Sequence, residues 1–111
     1  MVQPGSTWER LLGPVTVTST TDTVLATVPS GHQWLVQLWV VAENAVGSGR
    51  IAVGIGGTGA GQRIIGQLWP GTNESRQVAE VLVINAGEQV VAKLHAAGSI
   101  DLTLFGCDLT V

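Results

Sequence analysis

From residue 14 to residue 111 the chain is a succession of short β-type runs cut by glycine turns. No long stretch carries the apolar spacing of a sustained helix. The runs cover residues 14–19, 23–28, 33–43, 50–55, 62–69, 77–84, 89–96 and 100–111. Strands at this regular spacing point to an all-β sandwich or barrel. The expected fold is a single antiparallel β-sandwich of about eight strands, jelly-roll-like, with an N-terminal arm. The runs alone leave a jelly roll and an immunoglobulin-like strand order both open. At 111 residues the chain makes one domain, divided into an arm (1–13) and a sandwich (14–111).

Several turns have a chemical reason. Pro29-Ser30-Gly31 places proline at the second turn position and glycine where φ is positive. Asn85-Ala86-Gly87-Glu88 and Ala97-Gly98-Ser99 read as similar reversals. Residues 54–61 hold five glycines in eight positions and read as a mobile loop.

Strand polarity is legible in part. Val15 and Val17 alternate with Thr16 and Thr18, and Val24, Ala26 and Val28 alternate with Thr23, Leu25 and Thr27. In the run 33–43 strict alternation puts Trp34, Val36, Leu38 and Val40 on one side and Leu35, Gln37, Trp39 and Val41 on the other. Both sides are largely apolar, which marks a strand covered twice, once by the core and once by something else. On that reading at most one of Trp34 and Trp39 is in the core. Val90, Ala92, Leu94 and Ala96 form one inward set, and Ile100, Leu102 and Leu104 another. Gly106 reads as a bulge that flips the phase and returns Leu109 and Val111 to a packed face.

The arm differs from the rest. Trp8, Leu11 and Leu12 fall at i, i+3 and i+4, which would set them on one side of a short helical turn ended by Gly13-Pro14. Such an arm folds onto its own sandwich or reaches a neighbour, and the sequence does not choose.

Charge narrows the partners. Lys plus Arg number 5 and Asp plus Glu 8, giving a net charge of -3, and only 12% of residues are charged. That is about half the usual share for a globular domain. So few charges on a small sandwich suggest that part of its surface is covered by other subunits or a docking partner. Nucleic acid is an unexpected partner, because five scattered cations neutralise few phosphates. The longest apolar run is too short for a bilayer, and 1–13 lacks the pattern of a secretory signal, so a cytosolic, soluble product is expected.

The chemistry-bearing motifs are weak. Gly54-Ile55-Gly56-Gly57-Thr58-Gly59 matches the dinucleotide pattern, but a β-like stretch follows where a helix N-terminus is needed. It reads as a loop between strands. His32 and His95 have no Cys, His or carboxylate at metal-ligand spacing and read as structural. No serine sits in a nucleophile elbow. Cys107, the only cysteine, has no neighbouring base and reads as a small packed hydrophobe. Nothing selects a catalytic carboxylate pair. Asn73-Glu74-Ser75 is a sequon by pattern only. The expectation is no enzyme, no cofactor and no metal.

Two segments carry a resemblance. One is Asp22–His32, "DTVLATVPSGH", followed by a long hydrophobic strand, and the other is Val81–Val90, "VLVINAGEQV". Together they resemble small β-sandwich virion proteins of tailed bacteriophages, namely head decoration (cement) proteins and tail or neck accessory proteins. The resemblance implies a protein without catalytic residues that binds the major capsid protein or other virion proteins as a homo-oligomer, with a trimer favoured. It would stabilise the capsid lattice at the virion surface after assembly in the host cytoplasm. The partner-binding candidates are Trp8, Leu11 and Leu12 for docking, and Trp39 or Trp69 for contacts between subunits. The alternative is a tail-associated receptor- or carbohydrate-binding module using Trp69 and the glycine loop 54–61.

Overall fold

The computed structural model describes residues 8–43, 50–68 and 75–111, the side chains of 65–68 and 75–76 excepted. Nine strands are present among them: β1 (Glu9–Val17), β2 (Thr23–Thr27), β3 (His32–Glu43), β4 (Ile51–Ile55), β5 (Arg63–Leu68), β6 (Ser75–Val78), β7 (Leu82–Asn85), β8 (Gln89–Leu94) and β9 (Ile100–Thr110). The first sheet runs β1-β9-β3-β6, with β7 also on β3, and the second runs β2-β8-β4-β5. Every pairing is antiparallel.

The pairing can be drawn as one long hairpin folded over. β1 meets β9, β2 meets β8, β3 meets β6 and β7, and β4 meets β5. The ribbon then curls so that β3 also joins β9 and β4 also joins β8. This is a jelly roll, and it decides the strand order that the sequence left open.

Between the sheets lies one core, in which Val17, Val28, Trp34, Val36, Trp39, Val41, Ile51, Val53, Ile84, Leu94, Ile100, Leu102 and Leu104 are buried. The inward sets expected for β8 and β9 are there, since Val90, Ala92 and Leu94 of one and Ile100, Leu102 and Leu104 of the other are all buried. Ala96 lies past the end of β8 and is exposed. The turns at Gly31 and Gly87 also follow expectation. Both glycines have positive φ, and His32 N donates to Pro29 O at 3.1 Å while Glu88 N donates to Asn85 O at 3.0 Å.

The long strand β3 departs from simple alternation. Its pairing with β9 shifts between Val36 and Leu38, so Gln37 is an extra residue. A bulge changes which side the following residues face. Trp34 and Val36 point inward before it, and Trp39, Val41 and Glu43 point inward after it. Both tryptophans are therefore in the core, Trp34 at 7% exposure and Trp39 at 0%. Alternation across the bulge had separated them.

The burial alternation of β9 changes at Gly106 as expected: Ile100, Leu102 and Leu104 are buried before it, and afterwards Cys107 is buried and Leu109 half-buried while Asp108 and Thr110 are exposed. In the ladder the extra residues at this level are Gln37 of β3 and Leu11 of β1. Gly106 also permits a close approach. A Cβ there would lie 1.9 Å from the Leu35 carbonyl oxygen. Val111 remains exposed, contrary to expectation.

The bulge also explains why the expected run 77–84 is two strands. β6 pairs with β3 after Gln37, from Trp39↔Val78 to Ala42↔Ser75, and β7 pairs before it, from Gln33↔Asn85 to Val36↔Leu82. The chain at 79–81 steps off the edge opposite the bulge. β2 has a comparable irregularity between Val24 and Ala26, which leaves Val24 facing solvent rather than the core.

The helical turn expected over Trp8–Leu12 is a strand. Glu9, Arg10 and Leu12 pair with Gly106, Phe105 and Leu104. Two register shifts in β1 break its alternation, and this is why its leucines mimic helical spacing. At the second shift Gly13 has φ +93°, and a Cβ would lie 2.3 Å from the Leu102 carbonyl oxygen. Residues 9–13 thus belong to the sandwich, not to a separate arm.

Candidate functional site

Cross-strand partners share a face, so the ladder identifies what the first sheet turns away from the core. Leu35 lies beside Val83, Leu38 beside Phe105, and Val40 between Thr103 and Gln77. Val83 is 46% exposed. Leu35, Leu38, Val40 and Phe105 are half-buried. At the Phe105 end Trp8 stacks on the ring, with centroids 5.0 Å apart and planes 7° from parallel, and Trp8 itself is 55% exposed.

The margins of this face are polar. Gln33 Nε2 donates to Asn85 Oδ1 at 2.8 Å near one end, and Thr16 Oγ1 donates to Asp101 Oδ1 at 2.6 Å toward the other. An apolar centre with aromatic weight and a hydrogen-bonded polar rim is the make-up of a protein interface.

The expected binding residues divide accordingly. Trp8 lies on this face. Leu11 and Leu12 are half-buried and pack against the core from β1. Trp39 is corrected: it is wholly inside the intramolecular core and cannot contact a neighbour. Its indole N–H finds no acceptor among the described residues. Trp69 lies outside the described residues. The residues that sequence reasoning missed are Leu35, Leu38, Val40, Val83 and Phe105. The doubly apolar character of β3 was the signal for them, and the bulge hid which residues to choose.

The second sheet turns a different face outward. Arg50, Ala52, Arg63, Lys93 and His95 line a pocket of about 250 Å³. Ala52 pairs with Lys93 across β4 and β8, and His95 N donates to Arg50 O at 2.8 Å, so these four sit in two facing pairs. Arg63 enters from β5 and donates from Nε to Thr58 O at 2.6 Å.

Beside this pocket the glycine loop is a bonded turn rather than a loose tip. Gln62 N donates to Gly59 O at 2.8 Å, and Gly56 N donates to Gln89 O at 2.8 Å. Thr58 is buried, and it donates to Asp22 through its hydroxyl and through its backbone N–H, the latter at 3.3 Å. The Thr58 hydroxyl holds the Asp22 carboxyl below its ordinary value. Desolvation opposes this, and the Thr58 N–H and the charges of Lys93 and Arg63 assist it. The strand after the loop is antiparallel β5, which leaves no helix N-terminus for a pyrophosphate.

Other chemistry is sparse. His32 Nδ1 lies 2.9 Å from Asp108 Oδ1 at the end of β3, a contact the sequence reading did not foresee. No group of three metal-ligating side chains occurs among the described residues, and no described helix is long and apolar enough to cross a membrane. Cys107 is buried.

Comparison with known proteins yields folds rather than a family. No family model and no curated protein matches the chain. Among solved structures, the Drosophila NLP core, described in terms of pentamer formation and histone binding, aligns with a TM-score of 0.53 at 18% identity over 95% of this chain and 99% of its own. A Bacillus endospore appendage protein, from a family of disulfide-linked pili, aligns with a TM-score of 0.47 at 14% identity over 96% of this chain and 90% of its own. The first likeness agrees with the sandwich fold. Neither neighbour is described as a virion protein.

Proposed function

We propose that the chain is a non-catalytic structural protein of a phage virion, a capsid decoration protein that self-associates and binds the capsid lattice. The observation that carries this reading is the outer face of the first sheet, with Leu35, Leu38, Val40, Val83 and Phe105 in its centre and the exposed Trp8 at one end. The occupant we assign to it is a second copy of the chain. The low charge of 12% fits a surface partly hidden between copies. The accessible surface of 5594 Å² is close to the roughly 5,800 Å² expected of a compact monomer of this mass. The core is therefore complete within one chain, and the apolar outer face is surplus to folding.

Three copies are the expected number. The pentamer named for the Drosophila NLP core is the competing count offered by a protein of similar fold. Each copy would add interface burial at about 25 cal/mol per Å² before the costs of association.

The test is co-sedimentation with undecorated phage capsids. Wild type should pellet with the shells and saturate, while Leu38→Arg should stay in the supernatant. Equal pelleting of the two would remove this face from the mechanism. Self-association without any shell binding would retain the assembly and overturn the decoration role.

A further inference from the structure

The pocket on the second sheet gathers most of the molecule's few cations. Of the five Lys and Arg residues, Arg50, Arg63 and Lys93 line it, and His95 joins them. The protein as a whole carries -3. Cations brought together in this way raise the local positive potential and favour an anion there.

The lining is suited to an anion in three ways. It contains no carboxylate, only the three cations, His95 and Ala52. The small Ala52, 4% exposed, opens a floor between longer side chains on β4 and β8. The donors come from several directions, with Arg50 and His95 at one strand end, Lys93 beside the floor and Arg63 from β5. Arg63 is also oriented in advance, since its Nε bond to Thr58 O uses one of the five N–H donors of a guanidinium. Thr58 is held in turn by Asp22, whose carboxylate accepts from the Thr58 hydroxyl and N–H. Asp22 is thereby engaged away from the lining, although the charges of Lys93 and Arg63 still act on it.

We propose that this pocket binds a compact tetrahedral oxyanion, a phosphate group. Donors from β5, from β8 and from Arg50 and His95 just outside β4 and β8 converge on such an anion, and two guanidinium forks match phosphate oxygens better than they match a single planar carboxylate. The volume of about 250 Å³ leaves room for a small phosphate monoester as well as free phosphate. The site lies on the opposite sheet from the assembly face and does not depend on that role.

The test is a titration of the full chain with inorganic phosphate, followed by amide NMR shifts. Saturable shifts are expected at Ala52, Lys93 and His95, with no matching change in sodium chloride of equal ionic strength. Lys93→Gln should weaken binding by roughly tenfold or more, because a charge-assisted bond is lost. Lys93→Arg should restore most of it, and Arg10→Gln, which removes a cation elsewhere, should leave it intact. A parallel titration with glycerol phosphate identifies the source. Tighter binding than inorganic phosphate assigns the site to a phosphorylated small molecule, and weaker binding to free phosphate. Absence of saturable shifts, an equal response to chloride or acetate, or unchanged affinity in Lys93→Gln would overturn the proposal.

Discussion

The two sheets of this sandwich share one core but turn unlike faces outward. The first presents Leu35, Leu38, Val40, Val83 and Phe105 within a polar rim, and the second presents three cations and a histidine around an alanine floor. The inner surfaces are both largely apolar, the first carrying Trp34 and Trp39 and, at the end of β3, the buried Glu43. What separates the faces is the outward half of each strand, and on β3 beyond Val36 that half is set by a single extra residue. Gln37 decides that Trp39 faces the core and that Leu38 and Val40 face out. A residue of moderate polarity in the middle of a strand thus governs where an apolar surface appears.

The largest effect that would break this comparison is at Trp39. Trp39→Ala should lower the stability of the fold by about 3–5 kcal/mol in urea denaturation, as for a large buried aromatic. If the bulge were absent and Trp39 faced outward, the change would instead lower the assembly mass and leave the subunit nearly as stable. Next is Leu38→Arg, which would place an unpaired charge in the centre of the assembly face. Its dissociation constant should rise by about a hundredfold or more. The monomer's urea midpoint should move little, because the side chain is outside the core.

These two substitutions bear directly on what the sequence made legible. Strand runs and turns were readable because glycine and proline punctuate the chain and β-branched residues fill the intervals. The bulge was not readable, because Gln37 fits alternation as well as it fits an insertion. The first strand was misread for a related reason. Extra residues at Leu11 and at Gly13-Pro14 break its alternation, so Trp8, Leu11 and Leu12 imitate helical spacing. The cationic pocket was invisible for a different reason. Arg50, Arg63, Lys93 and His95 are separated by up to 45 positions, and only the pairing of β4 with both β5 and β8 brings them together.

Smaller changes sharpen the contrast. Trp8→Ala removes the stack on Phe105 and should cost about 0.5–1.5 kcal/mol beyond its area term, measurable as a lowered thermal midpoint. It should also weaken self-association, whereas Lys93→Gln should leave both properties within experimental scatter. The smallest effect concerns acid. The folded carboxyl of Asp22 lies below its ordinary value of 3.8, so its stabilisation is present above that pH and is lost as pH falls through the lowered value. Asp22→Asn should make the thermal midpoint less sensitive to pH in that range. An unchanged acid limb would show that the Thr58 bonds do not hold the loop in solution.

The proposed function rests on a second copy of the chain covering the outer face of the first sheet. Light scattering on the purified protein over a range of concentrations tests it most directly, with Leu38→Arg measured beside the wild type. Wild type should have a mass at a fixed multiple of the 11.5 kDa chain, three being expected, and the variant a single-chain mass. A wild-type mass of one chain at every concentration would contradict it.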